Sequence, residues 1–327
     1  MLRLLLVALC LVFNTHAPFA ASPFSAGILR VAVQADIPFD AFAWYPTREA
    51  ERAFEAGPYT VSASRDAVPA EGRFPVVLLS HGSGGTPFTH RDLASHLARA
   101  GFIVIAPMHV GDSAGRTERR DAGLAPTDRP GQALLALRAV LADPRLADRA
   151  DHARMGAIGY SAGAYTALVL AGARPDFARW PAYCRQAPEN AVLCSGVTES
   201  RYPGSQAGAW QPPREPRLRA LVLMAPLAMP FAPEGLADLR MPVQLHEATG
   251  DGVVPAASNG DTLMRAILPV PQRRRVAGGH HVFVDPCPPA TTARLAELCI
   301  DAQGIDRQAI HAAMREQVTA FLRSQLE

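Results

Sequence analysis

The feature that most restricts this chain is five residues long. Gly159-Tyr160-Ser161-Ala162-Gly163 lies between a short apolar run, Met155 to Ile158, and a run beginning at Ala162 that reads as a helix. A serine flanked this way sits on a sharp strand-to-helix turn whose backbone is strained. Only small residues at Gly159 and Gly163 let the strand and helix approach without collision. The hydroxyl is thereby lifted above the sheet, with the positive end of the following helix beneath it. A turn of this kind needs a buried strand and a covering helix, which commits the chain to an α/β architecture.

The rest of the sequence repeats that unit. Phe74 to Ser80, Phe102 to Ala106, Ala220 to Met224, Pro242 to Glu247 and Arg273 to Val276 read as strands, several of them continuous apolar runs of the sort buried on both faces of a parallel sheet. Between them lie helical stretches near His90 to Ala100, Gly131 to Leu141, Ala256 to Leu268 and Asp306 to Gln325. Two opening strands, Gly27 to Val33 and Phe39 to Tyr45, precede a polar excursion over Arg48 to Glu71. The expected fold is a mostly parallel central sheet flanked by helices, in one domain over residues 22–327. About 45 residues, 174–218, break the rhythm: they are rich in proline and carry Trp180, Tyr183, Tyr202 and Trp210, as a lid or binding insertion would.

A serine hydroxyl is a weak nucleophile at neutral pH and needs a base, with a third group to orient that base. After an elbow of this type the acid precedes the histidine in the chain. Thr249-Gly250-Asp251-Gly252 follows a strand, and Gly278-Gly279-His280-His281 follows the next one. Both therefore emerge on the sheet edge where α/β folds gather their sites. Asp251 is the expected acid, with Glu247 and Asp261 as fallbacks and Asp238 behind them. One of the two histidines is the base. Oxyanion donors are expected from the backbone amides of Ala162, after the nucleophile, and of Ser83, in the loop His81-Gly82-Ser83-Gly84-Gly85. His109 and Asp112 lie on the same edge as pocket or supporting groups, and His81 is expected to shape its loop.

Residues 1–21 have the form of an export signal: Arg3, the apolar run Leu4 to Phe13, and small residues at Ala17, Ala20 and Ala21. The run is too short to cross a bilayer, so an exported, periplasmic or secreted protein without a stable membrane anchor is expected. Cys184, Cys194, Cys287 and Cys299 remain after its removal, and their separations favour two local disulfides, Cys184 with Cys194 and Cys287 with Cys299. The formal net charge is only +2, with all 32 basic residues arginine, so no nucleic-acid partner is expected. Arg273, Arg274 and Arg275 read as a solvated turn leading into a strand. No Cys/His spacing suits a metal, and no dinucleotide or phosphate-cradling motif appears, so neither metal nor cofactor is expected. Oligomeric state is not legible.

Trp44-Tyr45-Pro46, the stretch from Phe74 through Gly85, the elbow, Gly250-Asp251, and Gly279-His280 with Phe283 and Pro286-Cys287 behind it resemble α/β-hydrolases similar to the bacterial predicted dienelactone hydrolases and to platelet-activating-factor acetylhydrolase. The resemblance covers most of the chain beyond the leader. It implies an α/β-hydrolase fold, a serine esterase acting through an acyl-enzyme on a small-molecule ester, and a base directly after the glycine, which favours His280 over His281. True dienelactone hydrolases look to a cysteine nucleophile where this chain has Ser161, and the cysteine-bearing insertion differs from short-lidded relatives. Amidase, thioesterase or polyesterase chemistry on the same residues is the alternative, and a non-catalytic binding protein of the same fold is the remaining reading.

Overall fold

A computed structural model describes residues 24–116, 118, 125–194 and 210–327. The expected leader and the middle of the insertion, with Tyr202, lie outside them.

Eleven strands form in chain order: β1 (Ser25–Val33), β2 (Phe39–Thr47), β3 (Phe54–Ala56), β4 (Tyr59–Val61), β5 (Ser64–Arg65), β6 (Phe74–Ser80), β7 (Ile103–Pro107), β8 (Ala150–Tyr160), β9 (Leu218–Met224), β10 (Val243–Ala248) and β11 (Gln272–Val276). Nine of them make one sheet in the order β11-β10-β9-β8-β6-β7-β2-β1-β5, and β3 pairs with β4 in a separate hairpin. From β7 across to β11 every neighbouring pair is parallel, whereas β2 runs antiparallel to both β1 and β7. This is the α/β-hydrolase arrangement.

The parallel strands are the apolar ones. Val76 to Leu79, Ile103 to Ile105 and Leu221 to Met224 are almost wholly inaccessible to water, because helices cover both sheet faces. Helix Ala162–Leu170 is apolar all round, and nearly every residue in it is buried, as a helix held in the core must be. Helix Arg307–Leu326 closes the chain against β8 and β9. Asp306 caps it, its carboxylate accepting the Ala309 amide at 2.9 Å.

Three expectations need correction. The excursion after Arg48 is not featureless: it contains the β3–β4 hairpin and the two-residue β5. The helix expected from Gly131 begins at Ala125 and accommodates Pro130 in its second turn, which brings Arg129 inside the helix and into the protein. The arginine run lies within the strand expected over Arg273 to Val276, now β11, and not in a turn leading into it, and Arg273 pairs with Glu247 and, at 2.7 Å, with Asp261. That pairing removes both fallback acids from consideration, and Asp238 is engaged at the surface by Arg174.

The insertion carries helices Arg179–Gln186 and Ala191–Cys194, joined by the disulfide Cys184–Cys194. Its described aromatics also meet the core of the domain, while the Trp180 indole donates to the Leu193 carbonyl and Trp210 lies against Phe177. Cys287–Cys299 is the second disulfide. No helix among the described residues is long and apolar enough to cross a membrane, and two disulfides suit an oxidising compartment outside the cytoplasm.

Candidate active site

Ser161 occupies the turn between β8 and helix Ala162–Leu170 with φ 53° and ψ −117°, a left-handed conformation that costs a non-glycine residue on the order of 1–3 kcal/mol. The surroundings hold it there. A methyl on Gly163 would stand 1.9 Å from the Ser80 carbonyl oxygen, and one on Gly159 would stand 2.3 Å from the Gly163 oxygen. The Ser161 amide donates to the Met224 carbonyl at 2.9 Å, and its own carbonyl accepts from Ala164, Tyr165 and Leu227.

Asp251 and His280 come from neighbouring strands. Beyond the paired ends of β10 and β11 the two turns stay stitched together, Thr249 donating to Val276 and Gly250 to Gly278, each at 2.9 Å. The Asp251 carboxylate is fixed twice: Oδ1 accepts the amides of Val253 and Val254, and Oδ2 lies 2.8 Å from His280 Nδ1. His280 Nε2 lies 3.0 Å from Ser161 Oγ. With Nδ1 protonated toward Asp251, Nε2 is the acceptor facing the hydroxyl. Both the Asp251 and His280 side chains are almost entirely buried, so competing water is excluded from the pair.

His281 points elsewhere. Its Nδ1 is 3.2 Å from the Tyr160 hydroxyl, which also donates to the His280 carbonyl. Both contacts are satisfied when His281 carries its proton on Nδ1. Burial, and then the neighbouring His280, hold the His281 imidazole below its ordinary range, which favours that neutral form. Tyr160, the variable residue of the elbow, thus braces the histidine turn.

The loop expected to supply an oxyanion donor follows β6, the neighbour of β8. A methyl on Gly82 would meet the Tyr160 ring at 2.8 Å and the Ser161 Cβ at 3.4 Å, so the loop passes directly beside Ser161. Among the described residues the amides of Ser83 and Ala162 donate to no other protein group.

Under that loop is a polar cluster, most of which the sequence left undefined. His109 and Asp112 are part of it, as supporting groups. His109 Nε2 accepts from Ser80 Oγ at 2.9 Å with its Nδ1 toward Gln132, and His81 Nε2 accepts from Ser113 Oγ at 2.9 Å. Burial, reinforced by the Arg129 charge, pushes His81 down to about 3 and His109 well below its usual value, so both rings are neutral. Arg129 lies at the centre and gave no sequence signal, standing in an unremarkable Asp128-Arg129-Pro130 stretch beyond the expected helix.

A second buried group supports the histidine turn from behind. Asp285 accepts the Asp92 amide at 2.7 Å and faces His311 Nδ1 at 3.3 Å, while His311 Nε2 donates to the Val282 carbonyl at 2.8 Å. Thr86 and Phe88, just past the glycine-rich loop after β6, help line an apolar cavity of about 550 Å³ shared with Phe42, Phe54, Tyr59 and Met108. No group of three or more His, Cys, Asp or Glu among the described residues could hold a metal ion.

Residues 63–192 match the dienelactone hydrolase family. That span holds the glycine-rich loop after β6 and Ser161 and ends before Asp251 and His280. The structure is similar to that of a ferulic acid esterase from Streptomyces cinnamoneus, with a TM-score of 0.64 and 19% sequence identity over 95% of this chain and 92% of that one. At that identity the likeness is one of fold. No curated protein matches the sequence.

Proposed function

We propose that the chain is an exported serine hydrolase that cleaves carboxylic esters through an acyl-enzyme, with Ser161 as nucleophile, His280 as general base and Asp251 as the group that orients it. The observation carrying this reading is the unbroken series Ser161 Oγ to His280 Nε2 at 3.0 Å and His280 Nδ1 to Asp251 Oδ2 at 2.8 Å. The match of residues 63–192 to a hydrolase family supports it from an independent direction.

In the reaction, Ser161 Oγ attacks the ester carbonyl carbon while His280 Nε2 takes the hydroxyl proton. Asp251 stabilises the imidazolium through the Nδ1–H bond. The carbonyl oxygen becomes an oxyanion facing the Ser83 and Ala162 amides, which are free to receive it. Collapse breaks the bond to the alcohol, which leaves with the proton from His280. Water, deprotonated by His280, then attacks the acyl-enzyme and frees the acid and Ser161. No cofactor or metal enters any step.

Hydrolysis of p-nitrophenyl acetate and butyrate by the wild type and Ser161→Ala tests the reading. A loss in kcat of about 10⁴-fold or more is expected, together with loss of labelling by a fluorophosphonate. Equal rates in both proteins would remove Ser161 from the mechanism. Methyl ferulate joins the substrate panel because the fold neighbour is a ferulic acid esterase.

A further inference from the structure

Backbone donors cannot be deleted by side-chain substitution, so what holds them is the accessible question. Both expected oxyanion amides lead back to one side chain. Arg129 is 1% exposed, and its planar guanidinium uses all three nitrogens. Nη1 donates to Asp112 Oδ2 at 2.5 Å, and Asp112 Oδ1 in turn accepts the Ser83 hydroxyl at 2.5 Å. Nη2 donates to the His81 carbonyl and, at 3.2 Å, to Ser80 Oγ. Nε donates at 3.2 Å to Thr166 Oγ1, whose hydroxyl donates at 3.0 Å to the carbonyl of Ala162. One rigid fork therefore grips the glycine-rich loop on one side and the first turn of the nucleophile helix on the other.

We propose that Arg129 is a positioning residue for the oxyanion hole, fixing the Ser83 and Ala162 amides relative to each other through Asp112 and Thr166. The chemistry suits arginine in particular. Four diverging contacts, to a carboxylate, a carbonyl and two hydroxyls, need a planar group with several fixed donors, which lysine lacks. The nearby histidines are neutral, so Asp112 is the anion that balances the charge. The loop itself is rich in glycine and has little stiffness of its own, and a displacement of about 1 Å in such a donor costs on the order of 10²-fold in rate.

This inference rests on the serine-hydrolase reading, and the experiment separates the two. Arg129→Lys, Arg129→Met and Ser83→Ala are compared with the wild type, with rates normalised to active sites titrated by a fluorophosphonate. The readouts are kcat and KM for p-nitrophenyl butyrate and the inhibition constant of an alkyl trifluoromethyl ketone, whose hemiketal oxygen occupies the oxyanion position.

For Arg129→Lys, kcat per active site is expected to fall about 10- to 100-fold, with KM nearly unchanged. Ketone affinity should weaken by the same factor as kcat/KM. Ser83→Ala cuts one tether and leaves the ion pair intact, so a smaller loss, about three- to tenfold, in the same two quantities is expected. It decides the matter if neither Arg129 variant folds. A purely structural role would lower the melting temperature and the number of titratable sites yet leave kcat per site and ketone affinity at wild-type values. That outcome in the folded variants overturns the proposal, while an inactive Ser161→Ala protein would leave the hydrolase reading standing.

Discussion

The two halves of the candidate site are held by different means. On the nucleophile side, Ser161 is fixed by its own backbone hydrogen bonds and by the contact of Gly159 and Gly163 with main chain, at separations no side chain could share. On the base side, His280 stands in a four-residue 3-10 turn held by side chains from afar: Asp251 29 residues earlier, Tyr160 120 residues earlier, and behind them Asp285 with His311. The first half rests on main-chain contacts, with Met224, Leu227 and Ser80 as well as within the elbow itself. The second is assembled only when the sheet, the elbow and the terminal helix are all in place.

The difference can be tested by mutations that strike one half at a time. Asp251→Asn keeps an acceptor for the Val253 and Val254 amides but presents the wrong partner to His280, so kcat is expected to drop about 10⁴-fold with little change in melting temperature. A drop in melting temperature that accounts for the lost rate would erase the distinction. Gly163→Ala should do the reverse. Its methyl would collide with the Ser80 carbonyl at 1.9 Å, costing about 4 kcal/mol or more, and chemical denaturation should show the loss even with Ser161, Asp251 and His280 unaltered.

Removing Cys287–Cys299 by double substitution to serine loosens the segment just after the histidine turn. A loop of this size is worth about 3 kcal/mol in the chain-entropy view, and kcat on p-nitrophenyl acetate is expected to fall several-fold. The same change at Cys184–Cys194 acts on the insertion and should leave kcat on that small ester within about twofold. Equal effects from both pairs would mean that the base side is no more dependent on distant anchors than the rest.

The smallest effect concerns acid. His81 and His109 are neutral when folded, with values far below the ordinary 6.5. The unfolded chain therefore binds protons there that the folded one does not, and stability is full above about pH 6.5 and declines as pH falls below it. His109→Gln should flatten that decline by about 1.4 kcal/mol per pH unit. An unchanged slope in denaturation curves between about pH 6 and 4 would show that the cluster beneath the loop takes up protons without cost.

The same division explains what could be read in advance. Five residues around Ser161 announce the elbow because its steric demands are met by adjacent positions. The alternation of apolar strands and helices announces the sheet for the same local reason. Asp251 and His280 were legible through their place after consecutive strands, while the choice between His280 and His281 leaned on resemblance, since nothing local says which ring turns inward. Arg129 was invisible: its importance comes from Asp112, Thr166 and the His81 carbonyl, which only folding gathers. The β3–β4 hairpin escaped because Phe54, Ala56, Tyr59 and Val61 are too few to set a period against the polar residues around them.

The two ends of the nine-stranded sheet carry a last consequence. One is the two-residue β5 and the other is β11, three of whose five residues are arginine. The β11 end is thus charged along its length, a feature that discourages another molecule from adding a strand there. The arginine run thereby serves the edge of the sheet, and Arg273 also ties β11 to β10 through Glu247.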